Sequence, residues 1–158
     1  MTIAGGLAAL FSRDLARLIQ ELHAFPSDGL LWQRAPGVKN SGGNLVLHLE
    51  GNLREYIGRQ LGQVANSRAR EQEFALTGVS RDDLIGRMEQ VRELVATVVS
   101  RLSDDDLAAP HPEQVLETEI SSLDFLVHLH GHLNFHLGQI DYLRRILTEG
   151  SAVAFAGL

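Results

Sequence analysis

Apolar residues recur at intervals of three and four positions in four separate segments of the 158-residue chain. In the first segment, which ends at Pro26, they form one stripe: Leu7, Leu10, Phe11, Leu15, Leu18, Ile19 and Leu22. A stripe of this kind covers one face of a helix and is buried against other helices. No segment shows the regular alternation of apolar and polar residues that is typical of strands. The pattern therefore predicts an all-α protein.

Three more helices are predicted from the remaining segments. The second covers residues 44–65 and has these core positions: Leu45, Leu49, Leu53, Tyr56 and Val64. The third follows Ser80, which has the spacing of a capping box with Asp83. The fourth, which is the longest, covers residues 121–149. Each of these segments carries an apolar stripe that needs a partner helix.

The connections between the predicted helices differ in length. The first connection, residues 26–43, is rich in Pro and Gly and contains Trp32, the only tryptophan. The acidic, Pro-containing segment 103–114 is predicted to be a loop. Four amphipathic helices with a long loop between helices 1 and 2 are typical of an up-down four-helix bundle. With 44% apolar residues, the chain is expected to form a single domain over residues 1–158.

The charge of the chain argues against polyanionic partners. The formal net charge is −6 and there is no run of basic residues, so we expect no binding to nucleic acid or to anionic membranes. The apolar N-terminal residues lack a basic flank and are interrupted by Arg13 and Asp14. A signal peptide or a membrane span is therefore a poor interpretation of this segment. We expect a cytoplasmic protein.

Histidine is the main source of chemistry in this sequence. Cysteine is absent, which excludes disulfides, thiolate nucleophiles and Cys-type zinc sites. Four of the seven histidines fall in the run HLHGHLNFHLGQI, residues 128–140. Because residues four apart share a helix face, His128, His132 and His136 form a ladder. His130 is rotated by about 200° from this ladder and is expected to face solvent or a neighbouring chain.

Two neighbouring histidines of this ladder are close enough to bind one metal ion. His128 and His136 are about 12 Å apart along the helix axis, so the pair is either His128 with His132 or His132 with His136. A third ligand from another helix completes a three-histidine site with open positions for water or substrate. His48 in the second helix is the best candidate for this ligand, and His23 is the reserve.

Several residues near the histidines are expected to support the site or the fold. Asn52, one turn after His48, is placed to orient it. Glu50 and Glu55 are expected to be solvated or in ion pairs. Five glycines inside the predicted helices each cost about 1 kcal/mol relative to alanine: Gly51, Gly58, Gly62, Gly131 and Gly138. Three explanations are open for Gly131 and Gly138: close approach of another helix, room beside a ligand, or a helix that tolerates the glycine without a functional reason.

Two segments together resemble the DinB superfamily of metal-binding four-helix bundles. They are NLVLHLEGNLREYI, residues 44–57, and HLHGHLNFHLGQIDYLRR, residues 128–145. The resemblance extends over residues 40–147, and the order of the parts agrees. In that family, a histidine of the second helix and an HxxxH pair of the fourth bind a divalent ion. A Gly-Gln pair follows closely after the HxxxH motif.

The resemblance implies a specific set of site residues. The implied metal ligands are His48, His132 and His136. Gln139 falls in the Gly-Gln pair, and His128 becomes a neighbour of the site. The family often has arginine directly after its last histidine, whereas this chain has a leucine there.

The resemblance also implies a class of function. Similar family members include metal-dependent hydrolases, as well as transferases and isomerases that use low-molecular-weight thiols, and they are often homodimers. We therefore expect a metal-dependent hydrolase or thiol transferase with a small-molecule substrate and a divalent ion, zinc or nickel. The loop around Trp32 is expected to wall the pocket, with His128 or Glu55 as general base. The alternative is a non-catalytic metal-binding or stress-response protein that acts through dimerisation.

Overall fold

The computed structural model describes residues 2–112 and 119–154, and this part of the chain is all-helical, without strands. The prediction of an all-α protein is confirmed. The α-helices are α1 (Ile3–Ala24), α2 (Asp28–Trp32), α3 (Gly42–Leu53), α4 (Arg70–Ala75), α5 (Arg81–Ser100), α6 (Asp104–Ala108) and α7 (Ser122–Thr148). A π-helical turn, Arg54–Arg59, continues directly from α3.

Four longer helices enclose the core. Helix α1 packs against α5 and α7, and α3 also packs against α5 and α7. Each of the four contributes large side chains that are fully buried, for example Phe11, Leu49, Met88 and Leu133. Burial of one such side chain contributes about 1.5–3 kcal/mol. The apolar stripes of the sequence therefore account for the association of these helices.

Serine side chains mark the start of three of the four longer helices. The Oγ atoms of Ser41, Ser80 and Ser121 each accept a hydrogen bond from the backbone N–H three residues later. Each bond satisfies a donor that the first helical turn leaves unpaired and is worth about 1 kcal/mol. The predicted starts of α5 and α7 are confirmed, and α3 begins two residues before the predicted start.

The helix predicted for residues 44–65 is shorter than expected. Its regular α-helical part ends at Leu53 and the π-helical turn ends at Arg59. The backbone then turns at Gln63, whose φ is 55°. Val64, predicted to lie in the core, is 43% exposed as a result. Leu10 of α1 is also exposed rather than buried.

Three short helices occur in segments that carry no helical stripe. Helix α2 lies within the long connection between α1 and α3, and α6 lies within the segment predicted to be a loop. Helix α4 lies in the polar stretch before α5. Each has only five or six residues, which is too few to reveal a periodic pattern. Helix α4 matters for the functional site because it packs on α3.

The longest helix, α7, has 27 residues, but polar and charged side chains occur along its whole length. Over residues 2–112 and 119–154, no helix combines the length and the apolar character needed to cross a membrane.

Candidate metal centre

Helices α3 and α7 bring three histidine side chains to one point. The Nε2 atom of His132 lies 3.1 Å from Nε2 of His48 and 3.0 Å from Nε2 of His136. One ligand nitrogen from each ring lies within 4.8 Å of the other two. His48 is buried, and the other two rings are half-buried. Of the two histidine pairs that spacing left open, the structure places His132 and His136 with His48.

Local helix geometry explains this convergence. His132 and His136 are one turn apart on α7, so they project from the same face. Helix α3, which carries His48, packs against α7. The observed nitrogen separations are close to the value of about 3.3 Å between ligands of a tetrahedral ion with bonds of about 2.0–2.1 Å. The three rings therefore form a donor set of the size that a divalent ion requires.

A carboxylate from α4 holds the ring of His48. Glu73 Oε2 accepts a hydrogen bond from His48 Nδ1 at 2.9 Å. The guanidinium of Arg68 donates to both carboxylate oxygens of Glu73, at 2.7 and 3.0 Å. Because Nδ1 carries the proton of the neutral ring, the lone pair of His48 lies on Nε2. That lone pair is directed toward the other two histidines.

Gly51 allows Glu73 to approach α3. A Cβ atom at Gly51 would overlap the carboxylate of Glu73, so any larger residue would force this side chain to move. The cost of a glycine inside the helix is thus offset by the contact between α3 and α4. Gly131 and Gly138 differ, because nothing lies within 4 Å of a Cβ built on either of them. Close helix approach therefore does not explain those two glycines.

The hydrogen-bond partners of the other ring nitrogens show which Nε2 lone pairs are left for a cation. Gln139 Oε1 accepts a hydrogen bond from His136 Nδ1 at 2.7 Å, so the lone pair of His136 also lies on Nε2. His132 Nδ1 is buried and has no partner among the described residues. One proton on His132 Nε2 serves only one of the two lone pairs that face it.

Burial keeps the three imidazoles neutral. Burial and the neighbouring imidazoles lower the pKa of His132 to about 4. Burial also lowers the pKa of His48, despite the carboxylate of Glu73, and that of His136. Neutral imidazole is the form that binds metal. The cluster is therefore ready to bind an ion at neutral pH without first losing protons.

A cavity of about 370 Å³ opens beside His48 and His132. Its other polar lining side chains are Asn52, Tyr56, Arg68, Arg70 and His128. Phe125 and Leu129 form its apolar wall. Within the described ranges, no carboxylate lines this cavity. Its size is typical of small-molecule sites, so a ligand has room next to the histidine cluster.

Two predicted supporting residues lie at this cavity. His128 is exposed at its edge and stacks on Phe125. Asn52 lines the cavity but makes no hydrogen bond to His48, because Glu73 occupies Nδ1 of that ring. The Oδ1 atom of Asn52 is buried and lacks a hydrogen-bond partner in the described part of the chain. Glu73, not Asn52, thus orients His48.

Trp32 does not line this cavity. Its indole N–H donates to the backbone oxygen of Val79 at 2.9 Å, and its ring packs against Gly43. Trp32 therefore joins the connection after α1 to the segment before α5. The wall next to the histidines comes instead from Arg68 and Arg70.

His130, Glu50 and Glu55 have structural partners outside the cavity, whereas His23 is exposed. His130, expected to face solvent or another chain, instead lies 2.8 Å through Nε2 from the carboxylate of Asp14 on α1. His23 is exposed on α1. Glu50 and Glu55 form ion pairs with arginines, as expected, and neither lines the cavity. Glu55 is therefore not placed to act as a general base there.

Arg68 and Glu73 were not among the residues that the sequence indicated. They lie in the polar stretch before α5, where no apolar stripe marks a helix. The one signal was Gly51, a costly glycine inside a predicted helix, which now proves to contact Glu73.

Comparison with known proteins identifies a family and two crystal structures with a similar fold. Residues 10–140 match the model of the DinB superfamily. A conserved protein from Enterococcus faecalis has a similar crystal structure, with a TM-score of 0.75 and 16% identity over 95% of this chain and 99% of that chain. A DinB-like protein from Bacillus cereus has a TM-score of 0.71 and 18% identity over 97% of this chain and 95% of that chain. No curated protein sequence matches this chain.

At these identities the two crystal structures show a common fold alone. The family match is stronger evidence of relationship because it covers most of the chain. A donor set suited to a metal lies within the matched residues. This chain belongs to the DinB superfamily, a metal-binding family.

Proposed function

We propose that this protein is a metal-dependent transferase that uses a low-molecular-weight thiol. A divalent ion, zinc or nickel, is held by His48, His132 and His136. The observation that carries the proposal is the convergence of three neutral ring nitrogens beside a cavity. Imidazole nitrogen suits both metals. Three protein ligands are also the number typical of catalytic zinc sites, which keep one position open.

The open side of the donor set supports a catalytic rather than a structural ion. A structural zinc site is closed by four protein ligands. Within residues 2–112 and 119–154, no fourth His, Asp or Glu joins the cluster, and Glu73 contacts the Nδ1 side of His48. The cavity reaches both His48 and His132. A small molecule is therefore expected to reach the ion from this side.

The cavity lining favours thiol transfer over hydrolysis. A bound divalent cation lowers the pKa of a thiol or a water that reaches it. A thiol starts from a pKa of about 8.5 and water from about 15.7, so the thiol depends less on a general base. The described lining contains no carboxylate to serve as one. His128, at the cavity edge, is the side chain available to accept the thiol proton.

In the proposed transfer, one bond forms and one bond breaks. The thiol sulfur forms a bond to an electrophilic carbon of the second substrate, and the leaving group departs with the bonding electron pair. The thiol proton passes through His128 to solvent. Low-molecular-weight thiols are kept reduced in the cytosol, which supports a cytoplasmic location.

We also propose that the chain forms one up-down four-helix bundle domain that assembles as a homodimer. Several large apolar side chains of α7 are exposed: Val127, Phe135, Tyr142 and Ile146. Exposed apolar surface of this kind is often covered by a partner. The same surface supports the alternative function, a non-catalytic metal-binding protein that acts through dimerisation.

Metal content of protein purified without an affinity tag tests the site. The wild-type protein is expected to hold about one zinc or nickel ion per chain. The His132→Ala variant is expected to lose it, whereas His23→Ala, which changes an exposed histidine on α1, should retain it. Full metal content in His132→Ala would refute the assigned ligands.

Thioether formation from cysteine and an activated aryl chloride tests the reaction. Metal-loaded wild type is expected to exceed the uncatalysed rate, and His132→Ala is not. If the metal-loaded protein instead cleaves an ester and forms no thioether, the activity is that of a hydrolase. Bound metal without either reaction supports the non-catalytic alternative.

A further inference from the structure

The cavity beside the histidines carries one uncompensated positive charge. Arg68 and Arg70 both line it, and the described lining contains no acidic residue. The charge of Arg68 is neutralised by Glu73 through two hydrogen bonds. Arg70 is exposed and pairs with no carboxylate in the described part of the chain. The cavity is therefore suited to an anionic molecule.

Aromatic contacts hold Arg70 close to the histidine cluster. Its guanidinium carbon lies 5.8 Å from the ring centroid of Phe74, four residues later on α4. The ring of Phe74 in turn packs on that of His48, with centroids 5.0 Å apart. A guanidinium over an aromatic ring keeps its N–H groups free in the plane. Arg70 is thus positioned beside the site while its donors remain available.

Asn52 gives the cavity a second polar group with unmet bonding capacity. Its side chain is 8% exposed, and Oδ1 has no hydrogen-bond partner among the described residues. A buried polar atom without a partner costs about 1–3 kcal/mol. Because Asn52 lines the cavity, its amide group is placed to hydrogen-bond a polar group of a ligand, which is a reason for the amide to be retained at this position.

We propose that Arg70 binds the carboxylate of a small thiol acid in this cavity, and that the side-chain amide of Asn52 hydrogen-bonds a polar group of the same molecule. This inference rests on the proposed function, since the thiol sulfur is directed to the open side of the histidine cluster. Phe125 and Leu129 then contact the carbon chain. The substrate class is a carboxylate-bearing thiol with an amide or amine, sized for a cavity of about 370 Å³.

Calorimetric titration of zinc-loaded protein with two matched probes tests this role of Arg70. The probes are N-acetylcysteine and its primary amide, which share the thiol and the N–H group and differ in the carboxylate. Wild type is expected to bind the acid about tenfold more tightly, since charge-assisted hydrogen bonds are the stronger ones. Arg70→Gln should lose this preference, because its affinity for the acid falls to about that for the amide. Arg101→Gln, which changes another exposed arginine outside the cavity, should keep it.

The outcomes separate the inference from the proposed function. Equal binding of the two probes by wild type, or a preference that persists in Arg70→Gln, overturns the role of Arg70 and leaves thiol binding intact. If neither probe binds to protein whose zinc content is verified, thiol use itself is overturned. That result differs from binding without preference, so the two failures are distinguished.

Discussion

Glu73 on α4 accepts a hydrogen bond from Nδ1 of His48 on α3 while Arg68 holds the same carboxylate. A histidine whose second nitrogen is held in this way is fixed in both tautomer and ring orientation, and it becomes a more basic ligand. The candidate metal centre therefore depends on a residue outside the donor set. That residue lies on a helix of only six residues.

Replacing Glu73 with glutamine is expected to weaken zinc binding by about 10- to 100-fold. A neutral amide polarises the ring of His48 less than a carboxylate does, and Arg68 loses its ion-pair partner. Competition with a fluorescent zinc chelator measures the affinity. Glu71→Gln, an exposed change on the same helix, is the control and should bind zinc like wild type. Equal affinities of all three proteins would show that His48 needs no orienting carboxylate.

Replacing Gly51 with alanine is expected to lower both the free energy of unfolding and the zinc affinity. The new Cβ takes the place of the Glu73 carboxylate, so that side chain must move away from His48. Gly86→Ala on α5 is the matched control, because nothing lies within 4 Å of its Cβ. This control should stabilise the protein by up to about 1 kcal/mol through helix propensity. Urea unfolding of the metal-free variants measures the change in stability for both substitutions, and competition with the zinc chelator measures the affinity. Equal stabilisation by the two substitutions would contradict the close contact.

The long helices were predictable because their signals are local. Helices α5 and α7 each combine a serine cap with a long apolar stripe, and both signals are visible without knowledge of tertiary contacts. Helix α4 has neither signal. With six residues it is too short to be stable alone, and its packing on α3 holds it in place. Its position could be found only from three-dimensional structure.

The candidate site was predictable to a lesser degree. Helical spacing placed His132 with a neighbouring histidine but left two pairs open, and His48 was the best candidate for the third ligand. The family resemblance then implied the pair of His132 and His136. The hydrogen bond between His48 and Glu73 joins residues 25 positions apart, and no local pattern reports such a contact. His130 was expected to face solvent or a neighbouring chain because it points away from the ladder. However, α7 packs against α1 as well as α3, so that side of the helix meets Asp14.

Acidification is expected to destabilise the metal-free protein through His132. Its pKa is about 4 in the folded protein, against an ordinary value of 6.5, so the unfolded chain takes up a proton that the folded protein resists. The stability contributed by the neutral ring is fully present above pH 6.5. It is lost as the pH falls from 6.5 toward 4.

Thermal unfolding at about pH 7 and about pH 4.5 measures this loss. Metal-free wild type should lose more stability between these conditions than His132→Asn. His23→Asn, which changes an exposed ring on α1, serves as the control and should follow wild type. An identical pH dependence in His132→Asn would mean that burial of this ring does not govern the acid response.

Replacing Asn52 with leucine is expected to raise stability and to weaken ligand binding. The amide is 8% exposed and its Oδ1 is unpartnered among the described residues. Its removal therefore relieves a penalty of about 1–3 kcal/mol, and leucine is of comparable size. The same change removes the amide that is proposed to hydrogen-bond the ligand. Affinity for N-acetylcysteine and for its amide should fall by the same factor, because the preference between them depends on Arg70.

Urea unfolding and calorimetric titration of Asn52→Leu together separate a structural role from a binding role. A structural amide would already be satisfied by the protein, and its loss would lower stability without a matching effect on the probes. A group retained for its ligand lowers the stability of the free protein, and this loss is offset only when the ligand binds. Stability and affinity should therefore move in opposite directions in this one variant. A drop in stability, or affinities equal to those of wild type, would remove Asn52 from the ligand-binding surface.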